Sequence, residues 1–221
     1  MRCARLARMA GWAIAALLGG ATAGAQAPDA RLAERLDRET YQAVLAVLDS
    51  ARADGLPVGA LAQKALEGAS RGATGPRIAT AVGALGARMR VARTALGARS
   101  SEAELVAGAG ALYLGVAPTT LTRLRRSQPE GSVALPLVVL SDVIGHGVQR
   151  DTAASAIITL AEAKVPAEAF SRLRTAVAED IRAGAAPAAA VSMRVRGILV
   201  GAESEPTTRR AASPLPRPGS P

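Results

Sequence analysis

Apolar positions along this chain recur in helical steps, and glycine and proline punctuate them. The pattern is clearest from Gly55 to Leu96. After Gly55-Leu56-Pro57, the residues Val58, Leu61, Ala62, Ala65, Leu66 and Ala69 share one helical face. Gly72 breaks the run. After Gly75-Pro76, Ile78, Val82, Leu85, Met89, Ala92 and Leu96 step by four and three along a second stripe. Two such helices joined by a short Gly/Pro turn predict an αα-hairpin.

The rest of the chain repeats this grammar more loosely. From Pro28 to Ser50, mixed charges surround Leu32 and Leu36, and Tyr41, Val44, Leu45 and Leu48 continue the stripe. This predicts one long, partly exposed helix ending near Asp54-Gly55, with the charges on its solvated face. Ser101-Glu102-Ala103-Glu104 has the form of a capping box and opens a helix to about Leu114. Gly115-Val116-Ala117-Pro118 repeats the opening formula of Gly55, and a short helix with Leu121 and Leu124 ends near Ser127.

Val133 to Ile144 is rich enough in valine to suit a strand. Pro136 would remove a ladder donor there but fits the first turn of a helix, so the segment reads as a buried helix stopped by Gly145-His146-Gly147. Asp151 is a plausible N-cap for the next helix. A further stripe through Phe170, Leu173 and Val177 ends at Gly184, and a last helix carries Val191, Val195 and Ile198. From residue 201 the chain turns rich in Pro, Ser, Thr and Arg, which predicts a disordered tail over 201–221.

Gly115 to Gly147 spans 32 residues and Gly147 to Gly184 spans 37, each interval holding two helices. The class is therefore all-α, as an α-solenoid-like array of helical hairpins or as an irregular bundle. One helical domain, 26–200, is expected between the leader and the tail.

The first residues change the setting. Arg2, Arg5 and Arg8 precede a short apolar run from Ala10 to Leu18, and Ala23-Gly24-Ala25 forms a small-x-small site, so a secretory signal over 1–25 with cleavage after Ala25 is expected. The apolar run is well short of the ~20 residues a membrane span needs, and no second span follows. The single cysteine, Cys3, leaves with this leader, which gives a cysteine-free mature chain in the periplasm or outside the cell. The formal charge falls from +9 to +6 with the three leader arginines.

Little in the sequence points to chemistry. His146 is the only histidine, so a two-His zinc site is excluded, and its place between two glycines suits a helix C-cap. No nucleotide-binding or nucleophile-elbow motif is present, and no cofactor is expected. Gly108-Ala109-Gly110 reads as packing. Three aromatic residues outside the leader, Tyr41, Tyr113 and Phe170, offer no stacking platform for nucleic acid.

The expected function is an exported, non-catalytic helical binding or scaffold protein of the bacterial envelope, its partner an unidentified protein or an anionic envelope polymer. The alternative is an envelope glycan hydrolase working through Asp or Glu, which would need two carboxylates in a closed cleft. Candidate contacts for an anionic partner are Arg123, Arg125 and Arg126 after Pro118, and Arg77 and Arg88, which with Arg99 recur every eleven residues and would form one ridge if the helix reached that far.

Overall fold

The computed structural model describes residues 28–211. Within them the chain forms ten helices and no strand: α1 (Pro28–Arg35), α2 (Arg38–Ala53), α3 (Val58–Ser70), α4 (Gly75–Leu96), α5 (Glu102–Tyr113), α6 (Pro118–Ser127), α7 (Ala134–Gly145), α8 (Arg150–Glu162), α9 (Ala167–Arg182) and α10 (Pro187–Ala211). The expected signal peptide and its cleavage site at Ala25 lie outside the described residues.

Six of the junctions are built the same way. Asp54-Gly55-Leu56, Arg71-Gly72-Ala73, Leu114-Gly115-Val116, His146-Gly147-Val148, Ala163-Lys164-Val165 and Ala183-Gly184-Ala185 each place a left-handed residue second, with φ from 52° to 97°. The third residue of each then donates its N–H back into the helix it leaves, as Leu56 does to the Ala51 carbonyl (2.8 Å) and Val116 to that of Ala111 (3.1 Å). This crossed pair of bonds is the Schellman stop, which satisfies carbonyls that a helix end leaves free. Leu56, Val116, Val148 and Val165 are buried at that third position, so each stop also stitches its turn to the core. Lys164 is the one residue with a side chain that takes the left-handed place.

These stops fold successive helices back on one another, and the packing is strictly local. Every extensive helix contact joins neighbours one or two places apart in the chain. The even-numbered helices stack α2 on α4, α4 on α6, α6 on α8 and α8 on α10. On the other side α1 packs on α3, and α5, α7 and α9 follow in turn. The odd row is interrupted between α3 and α5, where long α4 spans the gap by packing on both. This two-layer, one-dimensional order is that of an array of hairpins rather than a bundle closed around one axis.

Leu, Val, Ile and Ala fill the space between the layers, with Phe170 the bulkiest member. Such small side chains demand close approach: a Cβ on Gly108 of α5 would lie 3.0 Å from the Ala92 methyl group and 3.2 Å from Leu121 Cδ2. Pro136 sits in the first turn of buried α7, where its missing N–H costs nothing.

Four boundaries differ from the sequence reading. Asp37 divides the expected first helix: its carboxylate accepts from the Thr40 amide (2.9 Å) and hydroxyl (2.6 Å), so a new helix starts at Arg38. Asp151 lies within the first turn of α8, and Gln149 is the N-cap. Helix α4 stops at Leu96, so Arg99 falls in the following loop and no Arg77–Arg88–Arg99 ridge forms. Helix α10 passes Gly201, which lacks the left-handed geometry of the other stops, and runs to Ala211. A lone helical glycine costs only about 1 kcal/mol. The remainder of the expected tail, 212–221, lies outside the described residues.

Candidate functional site

The start of α5 and the end of α6 meet at the one buried charge among the described residues. Ser101 caps α5 by accepting from the Glu104 amide (3.3 Å), and Glu104 Oε2 accepts from the Ser101 amide (2.9 Å), completing the expected box. Helical geometry turns the rest of this carboxylate inward. Glu104 is only 4% exposed, and its Oε1 accepts from the Val133 amide (2.9 Å) and from Arg125 Nη2.

Burial pushes the Glu104 carboxyl up, but the amides of Val133 and Ser101 and the Arg125 guanidinium outweigh it and hold the group below the usual glutamate range. Arg125 also donates from Nη1 to the carbonyls of Gly131 (2.8 Å) and Gln128 (3.2 Å). One ion pair thereby fixes three pieces of backbone: the start of α5, the end of α6 and the 128–133 loop.

Over this junction lies an open cleft of about 720 Å³, lined by the 97–101 and 129–132 loops together with Arg125 and Arg126. It gathers the proposed contacts differently from the sequence reading. Arg125 is committed to Glu104 and to backbone, so it is not free to take a partner. Arg126 and Arg99 are exposed and share the cleft.

Arg123 faces outward from α6 but pairs with Glu162 of α8 (3.0 Å). The guanidinium of Arg88 lies 5.1 Å from the ring centroid of Tyr113 in α5, a cation–π stack on a side chain that is 72% exposed. Arg77 is exposed near the start of α4, away from the cleft. Two arginines not singled out by sequence, Arg90 and Arg93, seal the α2–α4 seam through Asp54, Ser50 (2.8 Å) and the Gly55 carbonyl (3.0 Å).

Glu104 is the only carboxylate buried among the described residues, and both of its oxygens are engaged. It is ionised and saturated with donors, which suits neither proton donation nor attack. His146 is exposed and forms the C-cap of α7, as its flanking glycines predict. No helix among the described residues is long and apolar enough to cross a membrane.

The two layers differ in charge. The even-numbered helices carry 14 arginines against 6 acidic residues, whereas the odd-numbered ones carry 6 basic against 9 acidic residues. That is +8 on one layer and −3 on the other. Neither layer's sign is visible in the sequence until the packing assigns alternate helices to opposite sides.

No family model matches the chain, and no curated protein or solved structure is significantly similar to it.

Proposed function

We propose that this protein is an exported, non-catalytic helical scaffold of the bacterial envelope whose even-numbered layer holds an anionic envelope polymer. The division of charge between the layers carries this reading. The +8 of this stack is concentrated on α4 and the neighbouring α6, with a smaller excess on α10, whereas α2 is balanced and α8 is slightly acidic. A basic face that spans adjacent helices favours a polyanion over a compact ligand. The large apolar side chains exposed on this layer are Val91, Met193 and Val200, too few to favour insertion into lipid. Export rests on the leader pattern of residues 1–25.

The test is retention of residues 26–221 on purified anionic envelope polymer at low salt. The expected result is binding that is lost as salt approaches the range where the screening length falls below ~8 Å, with none on a neutral polymer. Absence of retention, or retention only on anionic vesicles, contradicts the proposal.

A further inference from the structure

Arg99 and Arg126 reach one cleft from separate elements, the α4–α5 loop and the last turn of α6. We infer that this cleft binds a single oxyanion, a phosphate or carboxylate group, between these two guanidinium groups. Both side chains are exposed, and neither donates a hydrogen bond to, or pairs with, any described residue. That separates them from Arg90, Arg123, Arg174 and Arg194, which all hold carboxylates.

The floor beneath them is prepared in advance. Arg125 pins the 128–133 loop to Glu104, and the Ser100 hydroxyl fixes its own loop by donating to the Gly97 carbonyl (2.5 Å). Two further serines line the cleft, each with its hydroxyl oxygen already accepting a hydrogen bond. Ser101 accepts from the Glu104 amide and Ser132 from the Ala134 amide (3.3 Å), which leaves the O–H proton of each to donate.

Two guanidinium forks and two hydroxyl donors make a donor-rich rim that matches an oxyanion and repels a cation. Of the acidic residues on the cleft, Glu104 is neutralised by Arg125, and exposed Glu130 is the one left to oppose an anion. The cleft is open to solvent and, at about 720 Å³, leaves room for the oxyanion to be carried on a larger molecule. This inference rests on the scaffold reading only for the identity of that carrier.

The test is an amide chemical-shift titration of the mature protein at constant ionic strength, with inorganic phosphate and with citrate as separate probes and chloride as control. Saturable shifts are expected at Arg99, Ser101, Gly131 and Ser132 with at least one probe. The R99Q/R126Q variant is expected to weaken binding at least tenfold with its melting temperature unchanged, and E130Q to strengthen it. Shifts that fail to saturate, or a double variant that binds as the parent does, overturn the inference.

Polymer retention separates the two claims. Retention without oxyanion binding removes the cleft and leaves the scaffold. Oxyanion binding without retention keeps the cleft and removes the polymer.

Discussion

Arg125 reaches back from α6 to Glu104 in α5, and the pair closes the only buried charge among the described residues over three separate pieces of backbone. A glutamine at 104 would keep the shape but lose the charge, and its NH₂ group would face the donors of Ser101 or Val133. Replacing one member of a buried pair strands the other.

Glu104→Gln is therefore expected to cost about 2–4 kcal/mol, read from urea unfolding midpoints at pH 7. The pH dependence has a definite sign. The folded carboxyl is held below its unfolded value of ~4.3, so its stabilisation is complete above that pH and is lost as pH falls through the folded value. The parent should thus lose more stability than E104Q between pH 7 and pH 3. Equal losses would show that folding does not lower this carboxyl below its unfolded value.

The repeated Schellman stops make a second, paired expectation. Lys164 holds φ +52° where five other stops use glycine, and Gly147 holds φ +89°. Lys164→Gly is expected to stabilise by about 0.5–1 kcal/mol, because the left-handed backbone strains a residue with a Cβ. Gly147→Val is expected to cost roughly 1–2 kcal/mol for the same reason. Thermal unfolding of both variants checks the pair, and a neutral outcome at both positions would remove the stops from the account of how the helices are turned.

The helices and their stops could be read from the chain because both are local. A stripe at 3.6-residue spacing and a glycine one place past its end are properties of a dozen neighbouring residues, and Gly147 closes α7 where that reading put it. The break at Asp37 was hidden because the surrounding charges fit a continuous solvated face, while the cap depends on Thr40 being buried at the core.

The cleft was hidden for a different reason. The bond from the Val133 amide to Glu104 spans 29 residues, and Arg99 and Arg126 line one cleft only once α4, α5 and α6 are stacked. In sequence the Ser101–Glu104 box accounts for the glutamate completely, so nothing signals its second set of donors. The three arginines after Pro118 look alike until packing gives each a separate task. Arg123 bridges to α8, Arg125 is built into the junction, and Arg126 stays free.

The most direct test of a basic binding layer compares two sets of substitutions in the same polymer-retention assay. R77Q/R126Q/R196Q removes three exposed charges from the even-numbered helices, and R31Q/R172Q/R182Q removes three from the odd-numbered ones. Both sets lower the net charge equally and should leave helicity intact. Loss of retention in the first set with near-parental retention in the second is the predicted result, whereas equal loss in both would mean that net charge alone, and no particular layer, governs binding.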